Sequence, residues 1–234
     1  NGFMSLDEVP NDVLSNILLN HVVSGNLMSG DLNTGYVSSL ATEVSSGNNI
    51  SMYVDLSNGV KINGISNVTA ADVEATNGVI HVVDAVIGIP TVVDHAVANG
   101  NFSILVQALT RSDLTTDFVG TLSGSGPFTV FAPVDAAFVA LLDSNDEWNA
   151  LDDIPVTVLE SVLTYHVVSG ANVLSSDLSD GQMVTSLNGE DFTVNINNGN
   201  VSITDANDRN ANIVAVDVQA GNGVIHVLDQ VILP

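Results

Sequence analysis

Asn77-Gly78-Val79-Ile80-His81-Val82-Val83-Asp84 reads as a short apolar strand opened by a turn and closed by an acid. It is written twice, because Asn222-Gly223-Val224-Ile225-His226-Val227-Leu228-Asp229 repeats it 145 residues later. Outward from this strand the same offset relates His21-Val22-Val23-Ser24-Gly25 to His166-Val167-Val168-Ser169-Gly170, Pro10 to Pro155, Leu14 to Leu159 and Asp72 to Asp217. A period this long means one globular module per repeat rather than one turn of a solenoid. The second unit begins near Val92, so residues 91–234 read as a complete module and residues 1–90 as a partial one. The N-terminal third of the first module, roughly fifty residues, is then expected upstream of Asn1.

Within the complete module, helix-like spacing precedes strand-like alternation. Val92, Val93, Ala96 and Val97, then Ile104, Leu105, Ala108 and Leu109, predict two helices broken at Asn99-Gly100. Residues 128–131 predict a strand, residues 136–142 a helix capped by Asp135, and Pro155 opens another helix with Val158, Leu159, Val162 and Leu163 on one face. Strands follow at 182–187, 191–196, 200–204, 213–218 and 224–233, with turns at Asn188-Gly189 and Asn198-Gly199. The first unit repeats the order, with strands at 51–56, 60–65 and 79–87. Helices first and strands afterwards predict an α+β fold with a mostly antiparallel sheet.

The chain carries 27 acidic residues against Lys61, Arg111 and Arg209, a net charge of −24, which repels phosphate backbones and anionic lipid. Nucleic-acid binding and membrane insertion within this sequence are therefore not expected. The balance suits a marine or saline setting and equally a soluble extracellular protein selected against aggregation. There is no cysteine, so disulfides and thiolate chemistry are excluded.

Three stretches together resemble the fasciclin-type domain: residues 128–138, with Thr129, Phe131, Pro133, Asp135 and Phe138; the pair Tyr165-His166; and residues 222–229, with Asn222, Gly223, His226 and Asp229. The first copy repeats the last two stretches as His21 and as Asn77, Gly78, His81 and Asp84. It has Asn20 where the family has Tyr, and Val134 stands where the family has Thr. The resemblance implies tandem modules, each a β-wedge or sandwich with helices along one edge. It further implies an extracellular or cell-surface location and adhesion to protein or glycan ligands on cells or matrix, or self-association; the absence of cysteine is compatible with a bacterial exterior, which is the expected setting.

His81 and His226, set among β-branched residues, are read as structural rings bonded to neighbouring backbone or carboxylate. Tyr165 and His166 are the candidate interaction surface, so that Tyr165→Ala is expected to weaken attachment and leave the fold intact. No Gly-x-Ser-x-Gly, His-Glu-x-x-His or phosphate loop occurs, and no enzyme activity, cofactor or metal site is expected. The acidic runs 143–147 and 205–208 lack the glycine and the terminal bidentate glutamate of an EF-hand loop at the required spacing and are read as solvated carboxylates. The alternative function is a self-assembling structural protein whose first module, with apolar strand faces uncovered, is completed by another chain.

Overall fold

A computed structural model describes residues 6–234, and the chain divides into two compact units. One runs up to Pro90 and includes Gln219–Gly221; the other comprises Thr91–Val218 and Asn222–Pro234. Both are α+β, as the order of periodicities predicts.

In the first unit, helix α1 (Asn11–Leu19) begins directly after Pro10, whose fixed φ suits a helix start. Asn16 ties α1 to the sheet through two bonds with the Thr42 backbone, donating to its carbonyl at 2.9 Å and accepting from its N–H at 3.0 Å. The sheet has five antiparallel strands in sequence order: β1 (Gly35–Thr42), β2 (Asn49–Asp55), β3 (Lys61–Ile62), β4 (Ser66–Ala75) and β5 (Gly78–Val83). β5 is an edge strand.

The second unit opens with α2 (Val92–Ala98), begun by a capping box between Thr91 and Asp94, followed by α3 (Ser103–Leu109) and α4 (Phe118–Leu122). Next come β6 (Phe128–Pro133), α5 (Asp135–Asp143), α6 (Val156–Tyr165), β7 (Val167–Ser169), β8 (Met183–Thr185), β9 (Asp191–Asn197), β10 (Asn200–Thr204), β11 (Asn210–Ala220) and β12 (Gly223–Leu228). The sheet order is β7-β6-β12-β11-β10-β9-β8, with β6 and β12 parallel and β6–β7 antiparallel. The β9–β10 hairpin turns through Asn198 (φ 51°) and Gly199 (φ 83°), the left-handed pair that a two-residue turn needs.

β12 is buried at every position. His226 and Leu228 face a cluster of Phe131, Tyr165, Phe192, Val194, Ile203 and Ile232, while Ile225 faces α2 and α3 at Val92, Ala96 and Leu105. Burial on both faces explains why its sequence is an unbroken apolar run around one histidine. Among the described residues the first unit has no counterparts of α2–α5 or β6.

Several expectations need correction. β1, β4 and α4 were not predicted: β4 reads Ser-Asn-Val-Thr-Ala-Ala-Asp and is largely exposed, so it lacks an apolar face to announce it. The strand expected at 60–65 is only Lys61–Ile62, because Asn63 (φ 50°) and Gly64 (φ 69°) turn the chain. Val158 is 38% exposed and lies off the apolar face of α6. Asp135 does not cap its own helix: its carboxylate accepts from the Ile104 N–H at 2.7 Å and the Ser103 hydroxyl at 2.6 Å, closing the start of α3 instead. Asp135→Ala is thus expected to cost about 1 kcal/mol and to speed hydrogen exchange at the Ile104 amide while α5 keeps its protection, as measured by amide exchange NMR.

Candidate interaction surface

The signature residues converge on the start of the β6–β12 pair. A Cβ on Gly223 would collide with the Phe128 backbone, and one on Gly126 (φ 60°) with the Asn222 carbonyl, so both glycines permit close approach of backbones. Asn222 joins three segments: its Oδ1 accepts from the Val92 N–H at 2.9 Å, and its Nδ2 donates to the carbonyls of Leu122 and Gly124. Thr129 is fully buried, donating to the Ala171 carbonyl and accepting from the Val173 N–H, both at 2.9 Å. Phe131, Pro133 and Phe138 are buried.

The histidines hold backbone, in two opposite tautomers. The Ile232 N–H donates to His166 Nε2 at 3.1 Å, which leaves the ring's proton on Nδ1, donating to the Val162 carbonyl at 2.7 Å. His21 repeats this with Ile87 (2.9 Å) and Ile17 (2.8 Å). His226 carries its proton on Nε2, donating to the Val173 carbonyl at 2.9 Å, and offers Nδ1 to the Asp217 N–H at 3.5 Å. His81 does the same with Leu27 and Asp72. Burial drives the His166 pKa down to about 4 and lowers that of His226.

Two aspartates in each module complete the set. Asp72 and Asp217 sit at φ 60° and 59°, a left-handed conformation that carboxylate hydrogen bonds offset. Asp217 accepts from the Ser175 N–H (2.7 Å) and hydroxyl (2.5 Å), and Asp72 from the same groups of Ser29 at the same distances. Bonding to Ser29 holds the Asp72 carboxyl below the usual range. Asp229 clamps the Asn212 backbone and side chain, as Asp84 clamps Asn67. The Ser29–Asp72 and Ser175–Asp217 pairs were not expected. Their recurrence was the available signal, offset by 146 residues at the serines and 145 at the aspartates.

Tyr165 and His166 do not form the surface expected of them. They are 0% and 4% exposed, and the Tyr165 hydroxyl donates to the Asp191 carbonyl and accepts from the Ala206 N–H. Burial, with the charges of Asp205, Glu190 and Asp191, pushes that phenol up to about 12. A ring at the end of an amphipathic helix belongs to the core when it lies on the same stripe as Val162 and Leu163, and Tyr165 does. Asp205 is likewise not solvated: it is buried, accepts from the Arg209 guanidinium at 2.7 and 2.9 Å, and binds the Leu233 N–H. The run 143–147 is largely exposed. Among the described residues no group of three or more His, Cys, Asp or Glu side chains is arranged to hold a metal ion, and no helix is long and apolar enough to cross a membrane.

What the geometry defines is a duplicated α+β module whose polar motif residues are spent on its own backbone. The Fasciclin domain family model matches residues 4–90 and 100–234, and the chain belongs to this family. Protein sll1483 of Synechocystis sp. is 42% identical over 144 residues, covering 62% of this chain and 73% of that protein. Protein sll1735 of the same organism is 38% identical over 144 residues, 62% of this chain and 98% of that one. Human periostin is 27% identical over 191 residues, 80% of this chain but 21% of periostin. The structure of a FAS1 domain pair from the insect cell adhesion molecule fasciclin I shares the fold, with a TM-score of 0.60 at 22% identity over 94% of this chain and 79% of that one.

Two outcomes follow from the buried rings. Unfolded histidine takes a proton near pH 6.5 whereas folded His166 does so near 4, so stability is full above about pH 6.5 and falls as pH drops toward 4, by roughly 3 kcal/mol from this ring. Urea midpoints at several pH values should show this slope, reduced in His166→Gln. Tyr165→Ala is expected to destabilise by about 3–5 kcal/mol in the same titration, reversing the effect expected from sequence.

Proposed function

We propose that this chain is a non-enzymatic adhesion or interaction module of a bacterial exterior, binding proteins or surface polymers, with residues 1–90 a partial and residues 91–234 a complete domain. The observation that carries the reading is that the polar groups shared by the repeat, from His166 and His226 to Asp217 and Asp229, are engaged with backbone or neighbouring side chains. A catalytic base needs a free lone pair within reach of a substrate proton. Here the ring nitrogens of His21, His81, His166 and His226 are occupied by the fold.

With Tyr165 and His166 inside, contact falls to the exterior, where the carboxylates outnumber basic groups by far. Such a surface attracts cationic groups on proteins or polymers and is screened by salt. The fold shared with an insect cell adhesion molecule and the two Synechocystis relatives support the setting.

Surface plasmon resonance against immobilised matrix proteins, polysaccharides and the chain itself is expected to give saturable binding to at least one of them. That binding should weaken several-fold when salt is raised about tenfold. Absence of binding to all of these surfaces, or turnover of an ester or glycoside substrate, would overturn the reading.

A further inference from the structure

We propose that the outer face of strands β9, β10 and β11 in the second module is a binding site for a neutral, extended polysaccharide. Side chains along a strand point alternately to its two faces. Phe192, Val194, Ile203 and Ala211 belong to the cluster around Phe131, so the residues between them stand on the opposite face. There the strand registers line up two rows across the sheet: Thr193, Thr204 and Asn210 in one, Asn195, Ser202 and Asn212 in the next. All six are polar and uncharged, in a chain of net charge −24. Val214 and Val216 continue the same face along β11, 59% and 42% exposed.

The first module shows that this neutrality is not imposed by the fold. Its corresponding row, defined by the same pairings, reads Asp55, Lys61 and Asn67, and Asp84 clamps Asn67 as Asp229 clamps Asn212. Thr69 and Ala71 stand where the second module has Val214 and Val216. The second module thus has an amide and a hydroxyl in place of an acid and a base, with an apolar strip beside them. Its amides are already oriented: Asn195 Nδ2 donates to the Thr204 hydroxyl at 2.8 Å, and Asn210 Nδ2 to the Ser202 hydroxyl at 3.3 Å. Side chains held in place beforehand lose less entropy when a ligand binds.

The chemistry of the face selects its occupant. A pyranose ring carries hydroxyls around its rim, each able to give and take a hydrogen bond, and C–H groups on its faces. The hydroxyl and amide rows match the first, and the valine strip matches the second. Sugars of an extended β-linked chain succeed one another at close to the separation of adjacent strands, about 4.8 Å, so successive rings fit over β9, β10 and β11. Nucleic acid, acidic polysaccharide and a second copy of this chain all approach against the net charge. A protein partner is held mainly by aromatic or arginine anchors in pockets, and the two rows offer none; a basic protein finds its carboxylates elsewhere on the surface. At the margins of the face, Asp229 is bonded to the Asn212 amide at 2.7 Å and Asp191 is exposed at the start of β9.

Affinity electrophoresis of the 234-residue chain through gels holding mixed-linkage β-glucan, xyloglucan or galactomannan, with alginate as the acidic control, tests this directly. Retardation by at least one of the neutral polymers is expected, with none by alginate. It should persist when salt is raised about tenfold, which separates this contact from the carboxylate attraction described above. The double variant Asn195→Asp/Ser202→Lys, which installs the first module's own row, should bind about tenfold or more weakly at an unchanged thermal midpoint. On the unaltered chain the polymer should shift amide resonances within residues 193–216, which locates the site even if the variant misfolds. Four results would each overturn the proposal: no retardation by any neutral polymer, equal binding by the folded double variant, shifts confined to another face, or retardation abolished by salt. The site rests on the adhesion reading in taking a surface polymer as its partner, yet the two fail apart. Attachment to immobilised protein without retardation would sink the site alone, whereas hydrolysis of a retarding polymer would sink the adhesion reading alone.

Discussion

A strand buried on both faces has to be paired on both edges, because any N–H or carbonyl left without a partner inside a protein costs as much as several good contacts return. β12 meets this condition with β6 on one side and β11 on the other. Much of the second module's polar chemistry serves it. Gly126 and Gly223 let the β6 and β12 backbones close up, Asn222 closes the turn that feeds the pair, and His226 stacks near Phe131 while holding the Val173 carbonyl. The helices α2 and α3 then cover the face that carries Ile225.

The histidines show how a neutral imidazole serves such a site. One ring nitrogen donates and the other accepts, so a single side chain satisfies two backbone groups of opposite sense. His166 and His226 do this with opposite tautomers, each fixed by which backbone group it faces. Asparagine manages a similar task at Asn222, and Asn20 stands where the second module has Tyr165, donating to the carbonyls of Ile87 and Gly88.

Much of this was legible from residues alone. The repeat, the helix pair broken at Asn99-Gly100, the strand at Phe128 and the fasciclin resemblance all rest on local periodicity or local motif, and the structure and the family match bear out the fold and the resemblance. Less legible were features set by distant neighbours. Whether Tyr165 points inward depends on Phe192 and on the Asp191 carbonyl, both far along the chain. Asp135 reaches α3 rather than α5 because the two helices pack together, which no local window reveals. β4 escaped notice because its exposed face is written in Ser, Thr, Ala and Asp, like a loop.

Among the described residues only two ion pairs occur, Arg111 with Asp113 and Arg209 with Asp205, while the frame is held by bonds from neutral rings, amides, hydroxyls and carboxylates to backbone. Dissolved ions screen opposite charges far more than they disturb a buried amide contact. Salt thus acts chiefly on the coat: carboxylates that bond no backbone can be redistributed with little consequence for the scaffold, whereas Asp84, Asp217 and Asp229 belong to the scaffold itself.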